Sequence, residues 1–197
     1  MATLVDIANF ALGLCAEGTI SSLTDASPQA RAVNTHINQT VAEVLREAPW
    51  KSARKQAVLS STTAPAFGWA YAFTLPTDYL RLVYFNDTDL TDLQQEEFEI
   101  QQNVLLTDES TVSITYVANP LLLSGDIGKL DVLLVRAIYT ALAAKLAWVL
   151  QQNRTLKDQL VNDAEMALRK AKAADSRDAL YPRENPYAAS DWLASRY

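Results

Sequence analysis

Between Asn86 and Glu109 the chain carries Asp87, Asp89, Asp92, Glu96, Glu97, Glu99, Asp108 and Glu109, with no lysine or arginine among them. Carboxylates at this density are the side chains that hold a hard cation. Asp87 and Asp89 stand two apart, as the first ligands of a calcium loop do. The glycine that such a loop needs for its sharp turn is missing, and Phe98 stands where the bidentate glutamate belongs. The competing reading is a solvated acidic edge, which keeps strand edges from pairing and offers a surface to a basic partner. The other chemistry-bearing residues are few. His36 is the one histidine, which removes serine–histidine–aspartate hydrolysis and two-histidine metal sites unless another group substitutes. Cys15 is the one cysteine, so no internal disulfide and no cysteine-based zinc site is expected. No nucleophile elbow, phosphate-binding glycine loop or dinucleotide fingerprint occurs among five glycines. The expectation is a protein with no catalytic residues, no cofactor and no metal.

Aromatic residues form the second group. Trp50, Trp69, Tyr71 and Phe73 read as core of a β-rich region. Trp192 differs, because it lies in the segment YPRENPYAASDWLASRY, which has two prolines and no helical period. Either this end is loose, or it docks on a partner with Tyr187, Trp192 and Leu193 as anchors, the kind of side chain that gives an interface most of its affinity.

The elements that must position these residues follow from hydrophobic spacing. Leu4, Ile7, Ala8, Ala11, Leu14 and Cys15 share one helical face over residues 3–16, and Gly18 offers a left-handed end. Ser27 and Pro28 open a second helix as N-cap and first residue. Its inner face is Ala30, Val33, Ile37, Val41, Val44, Leu45 and Ala48, and Pro49 closes it. Strands are expected at 54–60, 69–74, 80–86, 96–101, 103–107 and 111–117, with Leu75-Pro76-Thr77-Asp78 as a turn in which Asp78 bonds its own backbone. In residues 113–117, Ile114 and Tyr116 face one way and Ser113, Thr115 and Val117 the other. The most apolar stretch is 130–150, LDVLLVRAIYTALAAKLAWVL. It is long enough to cross a bilayer. Asp131, Arg136 and Lys145 would each cost about 2.5–3.5 kcal/mol there, so it reads as a helix nearly buried on all sides by protein, with no membrane partner. The polar QQNR at 151–154 marks a break. A last helix over 155–178 turns Leu156, Leu160, Ala164, Ala167, Leu168 and Ala171 inward, and alternates charge outside.

The order predicts an α+β protein: a four-helix bundle with a β-rich subdomain inserted between helices 2 and 3, and an extended C-terminal tail. The bundle takes 1–50 and 119–180, the β subdomain 51–118 and the tail 181–197. At 197 residues there is length for one sizeable core. A net charge of −6 argues against non-specific binding to nucleic acid through a basic face. The start MATLVDIANF lacks the basic residues and apolar run of a signal peptide, so the expected setting is a reducing cytosol, or a particle assembled there.

Four stretches carry a resemblance: ALGLCAEGTISSLTDASPQARAVN; LREAPWKSARKQAVLS, with Pro49-Trp50; FGWAYAFTLPTDYLRL; and ITYVANP, which leads into the apolar helix. In this order and spacing they resemble the tail tubular protein A family of short-tailed bacteriophages. Members of that family form the adaptor ring between the portal and the tail nozzle. The resemblance implies a helical domain with a β-rich part and a ring of about twelve copies in the virion tail, below the portal. It also implies a portal protein on one side, a nozzle protein on the other, tail fibres in some relatives, and DNA passing through the bore unbound. It carries over no catalytic residue and no residue-level portal motif. An acidic subunit suits such a bore, since a negative lining repels phosphate. A closed ring of identical contacts needs two different complementary faces on each subunit. The expected surfaces are Tyr187, Trp192 and Leu193 for the portal, and Glu96, Glu97 and Glu99 for the nozzle or a neighbouring subunit. Two other classes fit the composition: a different virion connector, such as a stopper or tail-completion protein, and a phage-encoded hydrolase with a carboxylate pair. Nothing in the sequence sets two carboxylates at a defined distance for the latter.

Overall fold

The structure of the protein, a computed structural model, describes residues 2–62, 64–65, 67–89, 97–123 and 127–178. Glu96 and the whole of 181–197, with Tyr187, Trp192 and Leu193, lie outside the described residues.

The first helix, α1, runs Leu4–Leu14 and opens with a capping box. The Thr3 hydroxyl accepts from the Asp6 N–H at 3.1 Å, and Asp6 accepts back from the Thr3 N–H at 2.8 Å. These bonds hold the Asp6 carboxyl below its usual range. Ile7, Ala8, Ala11 and Leu12 are buried, whereas Leu14 is exposed, contrary to the expected face. The helix ends earlier than Gly18: Ala16 takes the left-handed φ of 54°. The loop after it is tied down by Asn9, which accepts from Ile20 N at 2.8 Å and donates to Ile20 O at 3.0 Å. Helix α2, Pro28–Arg46, starts at Ser27 as expected, with Ser27 Oγ accepting from Ala30 N at 3.1 Å.

Among the described residues seven strands follow: β1 Arg54–Leu59, β2 Tyr71–Thr74, β3 Tyr79–Phe85, β4 Thr88–Asp89, β5 Phe98–Gln101, β6 Val104–Thr107 and β7 Val112–Ala118. They form two antiparallel sheets, ordered β1-β7-β3-β4 and β2-β6-β5. Strand β7 shows why alternation was readable. Val112, Ile114, Tyr116 and Ala118 join Phe73, Leu75 and Leu105 in a core between the sheets, while Val117 faces the helices. In β3 the ladder to β7 shifts register between Leu82 and Tyr84. That irregularity lets Val83 and Tyr84 both face the helical side while Leu82 and Phe85 face the other core.

Three of the four aromatic expectations fail. Trp50 is buried among the helices, with Nε1 donating to Val44 O at 3.0 Å, and is not β-region core. Trp69 and Tyr71 lie toward solvent; of the four, only Phe73 is β core. The local pattern alternates correctly, but at the start of β2 Tyr71 is exposed, and the half-buried Trp69 turns its indole to Glu99 at the surface.

After the short helix α3, Pro120–Leu123, come the two longest helices, α4 Val132–Gln151 and α5 Arg154–Arg177. Asp131 caps α4, accepting from Leu133 N at 2.8 Å. Gln152, at φ 51°, breaks the chain between them, and Asn153 caps α5 by accepting from Leu156 N at 3.0 Å. By length and composition α4 could span a bilayer, yet 56% of its most apolar window is buried by the rest of the protein. It is buried along its middle and open at its ends, at Val132 and at Trp148 and Val149. Residues of α1, α2, α4 and α5 share one apolar core, with Leu160, Ala167 and Ala171 of α5 fully inside. The protein is thus a mixed α+β fold of four long helices and two antiparallel sheets.

Candidate interaction surfaces

The described part of the acidic run includes a hairpin turn and a strand edge. Asn86 and Asp87, at φ 45° and 63°, make the two-residue turn of a hairpin that pairs Phe85 with Thr88 and Tyr84 with Asp89. Asp87 is therefore a turn residue. The Asn-Asp pair between apolar runs was the signal for this hairpin, which the sequence reading passed over by running a strand through residue 86. Glu97, just before β5, and Glu99 on it lie exposed, and β5 is an edge strand of the three-stranded sheet among the described residues. Glu99 accepts from Gln101 Nε2 at 2.9 Å and from Trp69 Nε1 at 3.3 Å. Those two bonds, Gln101's first, hold its carboxyl below the usual carboxylate range. Among the described residues no group of three acidic, histidine or cysteine side chains could hold a metal. The described part of the run has the form of an anionic strand edge.

His36 is half-buried on α2, and its carbonyl accepts from the Thr40 hydroxyl at 2.8 Å. Cys15 is fully buried, its thiol donating to Ala143 O at 3.3 Å. Burial, aided by Glu17, pushes that thiol up to about 11. A thiol so protonated and enclosed is a packing group between α1 and α4, not a nucleophile.

The least expected polar cluster is built on Asp78. Its side chain is fully buried and takes Lys55 Nζ at 2.7 Å and the Tyr116 hydroxyl at 3.0 Å. Its carbonyl accepts from Asn119 N at 2.7 Å. Burial first, then the Asp78 bond and charge, drives the Tyr116 hydroxyl well above its ordinary range. The expectation that Asp78 bonds its own turn is corrected: the turn is closed by Tyr79 N on Pro76 O at 3.0 Å, and the carboxylate instead joins β1, β7 and the β2–β3 turn. Lys55 is 44% exposed, so its charge is partly in water and the buried carboxylate is the costly member. Clefts border Lys55 beside Arg54, but Asp78 and Tyr116 are buried behind them and line neither, so the cluster is a fastening.

Two apolar grooves lie on opposite sides of α4. One, of about 420 Å³, is bordered by Phe10, Val132, Leu133 and Tyr139. Phe10 is 52% exposed and its ring lies 5.5 Å from that of Tyr139. The other, of about 270 Å³, has Val44 of α2, Ala137, Ala141 and Ala144 of α4, and Val161 and Leu168 of α5 around it. At 100° per residue, Val135 and Tyr139 point nearly opposite to Ala137, Ala141 and Ala144. Sequence spacing hid both grooves, because each depends on how far neighbouring helices stand apart.

Compared with known proteins, the chain matches no protein-family model and no curated protein.

Proposed function

We propose that this protein is a non-catalytic structural subunit of a phage virion, an adaptor that assembles as a ring of about twelve copies between the portal and the tail nozzle and lets DNA pass through its bore. The observation that carries the reading is where the four resembling stretches fall. Each lies largely at a packed junction. The first contains Ile20, whose backbone is held against α1 by Asn9 just before the stretch. The second turns α2 into β1 over buried Trp50. The third and fourth meet at Asp78 and Tyr116. Residues that shape junctions are those a fold would keep in order and spacing. In this reading the four long helices act as one bundle, with the β region as a subdomain inserted between α2 and α3. The shared helical core and the second core between the sheets support that division.

A ring needs two unlike faces. The anionic β5 edge with Glu99 and the adjoining Glu97, with Glu96 next in sequence, and the apolar groove at Phe10, Val132 and Tyr139 supply candidates. Tyr187, Trp192 and Leu193 are the proposed portal anchors. The nozzle protein, and fibres where present, take the far side. The net negative charge favours a bore through which phosphate slides.

Light scattering on the protein alone, and after mixing with the portal of the same phage, tests this. About twelve copies joining one portal is the expected result. Absence of association with the portal would move the protein to another virion position, the stopper or tail-completion class.

A further inference from the structure

The trough between α2 and α5 runs along α4. Its walls are Val44 on one side and Val161 and Leu168 on the other, and almost no polar atom lines it. This open apolar space of about 270 Å³ has the size and character to take one bulky apolar side chain. Where α5 ends indicates which. Lys172 pairs with Glu47 at 3.0 Å, and Lys51 N donates to Asp175 at 2.9 Å. Glu47 stands about one turn beyond Val44, and Lys172 one turn beyond Leu168, so this ion pair closes the trough at the end nearest Asp178. The chain therefore leaves α5 beside the mouth of the trough.

Nineteen residues follow Asp178, from 179 to 197. Measured back along α5 at about 1.5 Å per residue, Leu168 lies about 15 Å from Asp178 and Val161 about 26 Å. An extended chain covers about 3.3 Å per residue, so Tyr187 reaches about 30 Å and Trp192 about 46 Å, while Tyr181 reaches only about 10 Å. Tyr187 and Trp192 are thus long enough to return, with slack for a bend at Pro182 and Pro186. Asp191 beside Trp192 complements Lys157 at the rim, whose Nζ lies 5.8 Å from the centre of the Trp148 ring. Alanines along α4 and Ala164 leave room for one bulky ring between the walls.

We propose that in the free subunit, before a portal engages it, the chain's own C-terminal segment folds back and seats Trp192 in the α2–α4–α5 trough of the same subunit. Tethering so close gives the segment an effective concentration on the order of millimolar, so modest affinity suffices. The proposal does not depend on the virion reading.

Fluorine NMR on the full-length protein labelled with fluorotryptophan tests it. Trp192 is assigned from Trp192→Phe, and Trp50 serves as reporter of the folded core. The expected result is a Trp192 signal displaced from the free-indole position, independent of protein concentration, that returns to that position in Val161→Glu while the Trp50 signal stays. Should Val161→Glu lose the Trp50 signal, Lys157→Glu at the rim makes the same comparison and is expected to weaken the displacement. A Trp192 signal at the free position in the parent protein overturns the proposal. So does a displacement that disappears on dilution, which would assign the trough to a second copy, or one that neither trough variant changes.

Discussion

At the scale of single residues, Asp78 is the position at which the β region is most exposed to damage. Its carboxylate has no solvent to fall back on, so any change that removes an acceptor or a donor is felt directly. Asp78→Ala is expected to lower unfolding free energy by about 3 kcal/mol in urea titration, toward the low end for opening a buried ion pair because Lys55 can turn to water. Tyr116→Phe, which loses one hydrogen bond and keeps the ring, is expected to cost about 1 kcal/mol. Equal losses in the two would contradict the assignment of Asp78 as the centre. Cys15 makes a second residue-scale prediction. Its folded value of about 11 exceeds the ordinary 9.0, so the thiol's contribution is complete below pH 9 and is lost as pH rises toward 11, where the unfolded chain already holds a thiolate. Tyr79 and Tyr116 shift in the same direction through burial and extend the alkaline loss upward. At pH 8 a thiol reagent should label Cys15 only as fast as the protein opens, and urea should raise the rate in step with unfolding.

At the scale of elements, the α4–α5 connection is one place where the backbone takes a conformation its side chain disfavours. Gln152 is left-handed at φ 51°. Gln152→Gly is expected to stabilise the protein by about 0.5–1 kcal/mol, read as a higher midpoint in thermal or urea unfolding. Asn153→Ala, which removes the α5 cap, is expected to cost about 1 kcal/mol. The two effects have opposite sign at adjacent positions, so a general sensitivity of the loop would not reproduce them.

At the scale of the whole molecule, charge and shape are divided. The anionic β5 edge belongs to one sheet, and the apolar grooves belong to the helices. If the β5 edge meets a neighbour or the nozzle, Glu96→Lys, Glu97→Lys and Glu99→Lys together should abolish ring formation on the portal while leaving the monomer folded. Intact rings would assign that edge to solvent. Deleting 181–197 should abolish portal binding with the fold retained, and unchanged binding would remove Tyr187, Trp192 and Leu193 as anchors.

Much of the fold was legible in the residues because local rules act within a few positions. Ser27-Pro28 opened α2, alternation placed Ile114 and Tyr116 against Val117, and QQNR broke the last two helices apart. Errors arose where a residue's partner is distant in sequence. Trp50 reads as the start of the β region but its indole reaches back to α2. Trp69 and Tyr71 alternate like core but lie toward the surface, where the Trp69 indole reaches Glu99. Asp78 looks like a turn residue until β1 and β7 bring Lys55 and Tyr116 to it. The sequence by itself determined the element order, the caps and the anionic character of the chain, since those follow from propensity, spacing and charge. Only the tertiary structure decided which apolar faces stay open, because a groove is set by the distance between helices that no local pattern encodes.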